Sequence, residues 1–153
     1  MALSKADVNN INVTAAASKA IKWNSAADGF ETGDLSGNTV LLSTATASSS
    51  ATLDFTSGID STYKEYVFKF INIHPATSND NDACSVGTLH LYDPSNTTFV
   101  KHFIAEFSSH DDGYSDNPFA VGYINTTTAI TRIQFKFSGG NIDSGVIKMY
   151  GIT

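Results

Sequence analysis

The chain has 153 residues, enough for one domain with a substantial core and too few for a second full domain. A net charge of −6 disfavours nucleic acid as a partner, because an acidic surface repels phosphate backbones. Charged residues make up only 16% of the chain, while Ser, Thr, Asn and Gly number 18, 17, 12 and 11, a mixture of turn formers that is typical of an all-β protein.

Residues 1–37 differ from the rest and are predicted to form a docking arm in front of a β domain at 38–153. The segment 14–23, "TAAASKAIKW", is rich in Ala and predicts an extended or partly helical arm, which would be marginal in water by itself. A loose tail is the alternative. We expect the arm to fold against another protein, because its few apolar residues cannot close a core. The expected anchors of this contact are Ile11, Ile21, Trp23 and Phe30.

From residue 38 onward apolar residues alternate with polar ones, which predicts about eight β-strands. The run 65–74 has apolar residues at both odd and even positions, so it predicts a central strand that is covered on both faces. In 130–138, Phe135 and Phe137 alternate with Lys136, so the two phenylalanines are expected in the core. The predicted strands are 39–45, 50–55, 65–74, 85–93, 99–108, 119–126, 130–138 and 145–153.

This spacing of strands and turns favours two packed antiparallel sheets, a β-sandwich of jelly-roll or related topology. A closed barrel is the alternative. The segment 138–145, "SGGNIDSG", contains the residues that tolerate positive φ. It therefore predicts a hairpin turn that joins 130–137 to 145–153.

No motif in the sequence predicts an enzyme, a metal site or a cofactor. The chain has no Gly-x-Ser-x-Gly turn, and its single cysteine, Cys84, is expected to act as a small apolar residue. The four histidines do not show the spacing of a metal-binding pair. They are His74, His90, His102 and His110.

Two acidic loops, 78–83 and 109–118, are the candidates for ligand binding. The second loop carries Asp112, Tyr114 and Asn117, and a sugar ring could stack on Tyr114 while the carboxylate or amide forms hydrogen bonds. A solvated turn is the alternative. The loop does not have the spacing of a calcium-binding EF-hand.

The first ten residues, "MALSKADVNN", contain no apolar run of the kind that signal peptides have, and no apolar stretch reaches 18 residues. One cysteine cannot form an internal disulfide. We therefore expect synthesis in a reducing cytoplasm and no membrane partner.

Two stretches, "DFTSGIDSTYKEYVFKFINIHPAT" (54–77) and "ITRIQFKFSGGNIDSGVIKMYGI" (130–152), resemble segments of small virion-associated proteins of marine tailed bacteriophages. The segment 18–35 also resembles linkers of phage fibre proteins. The resemblance implies a structural protein of the virion exterior, assembled in the bacterial host cytoplasm, with other virion proteins as partners and a homotrimeric state. A capsid decoration or head-fibre protein is expected, since the chain has no long shaft. The alternative is a tail-fibre module that recognises a host surface glycan.

Overall fold

Eleven strands and no helix form the secondary structure of the residues that the computed structural model describes. These residues are 19–23, 26, 29–34, 38–78, 82–111 and 113–153. Within them no helix exists that could span a membrane. Two of the predicted site residues, Ile11 and Asp112, lie outside the described residues.

The chain divides into two compact units, Met1–Gly37 and Asn38–Thr153, at the same place as the predicted boundary between arm and β domain. The first unit contains β1 and β2, and the second contains the other nine strands. The strands are β1 (Lys19–Trp23), β2 (Phe30–Asp34), β3 (Thr39–Thr46), β4 (Leu53–Phe55), β5 (Glu65–Pro75), β6 (Cys84–Tyr92), β7 (Lys101–Asp111), β8 (Tyr114–Asp116), β9 (Phe119–Ile124), β10 (Ile133–Phe135) and β11 (Ile142–Ile152).

The N-terminal unit contains an antiparallel hairpin in which β1 pairs with β2. Residues 19–23 form a strand, so the extended conformation, one of the two predicted for the arm, is found here and the partly helical one is not. Residues 14–18 lie outside the described residues. Pairing across the two strands, with the rings of Trp23 and Phe30 stacked, stabilises the extended conformation.

The second unit is an all-β sandwich of one large and one small antiparallel sheet, as predicted. The large sheet has the order β3-β11-β5-β6-β7-β8, and β9 also pairs with β7. The small sheet pairs β10 with β4 and lies over the central strands of the large one. Because β5, β6, β7 and β9 follow one another as a meander, the strand order differs from that of a jelly roll.

The core lies between the two sheets and is built around aromatic rings. Tyr66 and Phe68 of β5 are fully buried, and Phe70 is 8% exposed. Phe135 of β10 packs edge-on against Phe68 and Phe70, with ring centroids 5.2 and 5.0 Å apart. Aromatic pairs prefer such edge-to-face geometry, so the two sheets are fixed relative to each other.

The predicted alternation in 130–138 is confirmed, but the hairpin predicted at 138–145 is wrong. Phe135 and Phe137 pack against the core while Lys136 is exposed. However, β10 pairs with β4, whereas β11 pairs with β3 and β5. The intervening segment therefore crosses from one layer to the other, because the phenylalanines reach the rings of β5 only from the opposite sheet.

Two bulges lie side by side in β5 and β11. Asn72 has a φ of 50° and Gly145 a φ of 116°, and the pairing register shifts next to both residues. Strict alternation would place Ile73 on the face opposite the core. Because of the extra residue in β5, Ile73 instead lies in the core and is only 6% exposed. Bulges of this kind increase the local twist of a sheet.

The predicted cover on both faces of β5 is wrong. On the face opposite the core, which we call the outer face, Lys69 and Ile71 are exposed and only Val67 is buried. Within the described part of the β domain, no second layer of strands covers this face. The sequence shows that both faces of this strand carry apolar residues, but it does not show whether another part of the protein packs against the outer face.

Acid is expected to destabilise the β domain through Asp93, at the turn after β6. The Asn96 amide donates to one carboxylate oxygen of Asp93 at 2.6 Å, and the Lys64 ammonium lies 3.0 Å from the other, so the pKa of Asp93 is held below its ordinary value. This stabilisation is present at neutral pH and is lost as pH falls below about 4. The melting temperature of Asp93→Asn should therefore fall less steeply between about pH 6 and pH 2 than that of the wild type. Equal changes of melting temperature with pH in the two proteins would contradict this prediction.

Candidate functional site

The predicted ligand-binding loop borders an open cavity of about 610 Å³ at one end of the large sheet. The hairpin of β7 and β8 forms one wall, with Asp111 paired to Tyr114. Ala83 and the start of β6 form another wall, and Pro75 and Phe137 contribute apolar surface. Tyr114, which is 81% exposed, stands at the rim. The cavity therefore combines an aromatic ring at its rim with a lining that is partly polar and mainly apolar.

The polar groups of this cavity are organised around His110. Its Nδ1 atom lies 2.8 Å from the hydroxyl of Ser115, and its Nε2 atom lies 3.3 Å from a carboxylate oxygen of Asp82. Both ring nitrogens are therefore engaged, and the imidazole links β7, β8 and the loop before β6. All three groups are open to water, which weakens the contact between His110 and Asp82 and favours an orienting role for the histidine over activation of the serine.

A smaller apolar cavity of about 290 Å³ adjoins the first one, between the large sheet and the chain around β10. Ser85, Ser109 and Phe137 line both cavities, and the two serine hydroxyls lie 2.8 Å apart. The inner wall is apolar and includes Phe70 and Phe107, with ring centroids 4.9 Å apart. The lining is therefore mixed at the mouth of the site and more strongly apolar at its base.

The structure brings some of the predicted binding residues to this cavity and leaves others away from it. Tyr114 borders the cavity, as do Asp111 and Asp116, two further acidic residues of the predicted loop 109–118. Asn117 is exposed and does not line the cavity. The contact between His110 and Asp82 joins two loops that are distant in sequence, so no local pattern indicated it. No group of three or more metal-ligating side chains occurs among the described residues.

The hairpin of the N-terminal unit carries three of the predicted anchors on one face. Ile21, Trp23 and Phe30 share this face, because alternate residues of a strand point the same way and Trp23 pairs with Phe30. They are 50%, 62% and 43% exposed. Lys22 and Glu31, on the other face, form an ion pair at 3.3 Å. The hairpin is therefore amphipathic, with an apolar face open to solvent.

The outer face of the large sheet is a third candidate surface, which the sequence did not indicate. One row of paired residues crosses all six long strands of this face. It consists of Leu41, Tyr150, Val67, His90, Ile104 and Val121. Seven large apolar side chains of the face are 38–64% exposed, namely Leu41, Ile71, Val86, Ile104, Phe119, Val121 and Tyr123.

Comparisons with protein-family models, with curated proteins and with solved structures found no match for this chain.

Proposed function

We propose that this protein is a structural component of a bacteriophage virion exterior, a capsid decoration or head-fibre protein that docks through its N-terminal arm. The observation that carries the proposal is the exposed apolar face of the hairpin, formed by Ile21, Trp23 and Phe30. The resemblance to virion-associated proteins supplies the class of partner, namely other virion proteins.

The physical argument starts from the weakness of an isolated hairpin. Two strands alone are marginally stable in water, and this pair exposes a stacked Trp–Phe pair with centroids 4.5 Å apart. Large aromatic side chains dominate the energetics of protein interfaces. A groove on another protein that received these rings would remove them from water and stabilise the hairpin at the same time.

Replacing Trp23 and Phe30 together with alanine is expected to weaken attachment to virions that lack this protein by about 100-fold. The melting temperature of the β domain should not change, because neither residue belongs to that unit. Attachment can be measured by sedimenting the particles with purified full-length protein and quantifying the bound fraction.

Phe99→Ala is the matched control for this experiment. Phe99 is a phenylalanine of the β domain that is 69% exposed, so its removal changes the surface in a similar way outside the arm. The control should attach like the wild type. Wild-type attachment of the Trp23 and Phe30 variant would show that docking does not use the hairpin face.

Recognition of a host surface glycan is the second candidate function. It is favoured by the position of Tyr114, whose exposed ring borders a cavity that also presents Asp111, Asp116 and His110. A ring at such a rim can stack on the apolar side of a sugar while carboxylates accept hydrogen bonds from its hydroxyl groups.

Tyr114→Ala is expected to abolish binding on a glycan array, whereas Tyr123→Ala should leave it unchanged. Tyr123 is a suitable control because it is 59% exposed but lies on the outer face, away from the cavity. An array on which the wild type binds no glycan, or on which both variants bind like the wild type, would remove this candidate.

A further inference from the structure

The outer face of the large sheet is broad and carries seven exposed large apolar side chains among polar ones. Here six strands about 4.8 Å apart carry about four rows of side chains about 6.7 Å apart, which together cover roughly 800 Å². That area equals the contribution of one partner to a standard-size protein interface.

In one row of this face the charged residues are separated by sign. Lys148 of β11 lies directly opposite Lys69 of β5, and Lys69 also sits over the ring of Tyr150, with its Nζ atom 5.3 Å from the centroid. Glu106 lies on β7, three strands away from Lys148 and in the same row. Among the described residues none of these three forms an ion pair.

Two adjacent lysines repel each other across a strand pair, so this arrangement costs stability in a single copy. Lys148 and Glu106 are about 14 Å apart at the usual spacing of strands, too far for them to pair within one copy. A partner surface with the opposite arrangement of charges would neutralise both ends of the row.

We propose that the outer face is a contact between copies of this chain, related by a rotation axis parallel to the strands. A two-fold axis between β5 and β6 places β11 of one copy on β7 of the other and β3 on β9. Because this rotation keeps each row in register, Lys148 meets Glu106 of the second copy.

The same rotation matches the apolar residues of the neighbouring row. Leu41 meets Val121, and Tyr150 meets Ile104, so the apolar side chains of one half of this row cover those of the other half. The two rows are thus self-complementary, the first in charge and the second in apolar surface. A three-fold axis parallel to the strands also brings β11 of one copy beside β7 of the next.

The experiment measures self-association of the full-length protein by sedimentation and native mass spectrometry. The wild type should form an oligomer of two or three copies. Glu106→Lys and Lys148→Glu should each weaken association at least tenfold, whereas the double variant should return to within about threefold of the wild type. Lys148→Glu also places a carboxylate opposite Lys69, so it should not destabilise the single copy.

Arg132→Glu is the control, because it reverses an exposed charge that lies off the outer face. It should associate like the wild type, as should the variant in which Trp23 and Phe30 are replaced with alanine. A monomer of 16.3 kDa at millimolar concentration would overturn the proposal. A Glu106→Lys, Lys148→Glu double variant that does not recover association would also overturn it. Association that is lost only when Trp23 and Phe30 are replaced would overturn it too, but that result would still be compatible with docking through the arm.

Discussion

Replacing Phe135 with alanine is expected to lower the free energy of unfolding of the β domain by about 3–4 kcal/mol. The ring packs edge-on against three others, Phe55, Phe68 and Phe70, at centroid distances of 6.2, 5.2 and 5.0 Å. Its removal would leave a void where the small sheet contacts the large one, next to the apolar cavity. Urea unfolding at equilibrium measures the loss directly.

Two controls separate core packing from the general effect of removing a side chain. Phe99→Ala deletes the same ring from an exposed position and should cost less than about 1 kcal/mol. Lys136→Ala alters the residue next to Phe135 in the chain and should also cost little. If Lys136→Ala were more damaging than Phe135→Ala, the assignment of faces in β10 would be wrong by one residue.

Gly145→Ala is expected to destabilise the β domain by about 3 kcal/mol for two independent reasons. The φ of Gly145 is 116°, in a region that L-amino acids with a Cβ atom rarely adopt. A Cβ atom added there would clash with the carbonyl oxygen of Asn72. That neighbour is main chain, so the clash can be relieved only by moving the bulge of β5. Thermal and urea unfolding would both report the change.

Gly139→Ala makes the same substitution a few residues earlier in the chain. No atom lies within 4 Å of the Cβ atom that it would add, so the variant should be neutral or slightly more stable. A Gly145→Ala protein as stable as the wild type would show that the paired bulges are not required for the fold.

Alternation of apolar residues predicted every strand of the β domain except β8, which has only three residues. Period two reveals which residues share a face, and for this reason the core positions of Tyr66, Phe68 and Phe135 were predictable. It does not reveal the partner of a strand. The pairing of β10 with β4 instead of β11 is decided by packing across the two layers, which no local pattern encodes.

The candidate binding surfaces were predictable to different degrees for the same reason. Trp23, Phe30 and Tyr114 could be singled out because large aromatic residues in polar segments are conspicuous in the sequence. The outer face depends on register across six strands, and the link between His110 and Asp82 depends on the meeting of two loops. Such features appear only when strands distant in sequence are aligned.

The position of β11 has a consequence for how the β domain forms during translation. Among the described strands β11 is the last to be synthesised, yet it lies between β3 and β5 and pairs with both along their lengths. Until it emerges, two strands that were made much earlier keep unsatisfied backbone edges that invite pairing with other nascent chains. The large sheet can therefore be completed only after nearly the whole domain has been synthesised. The slow step of folding should be the insertion of β11 between β3 and β5.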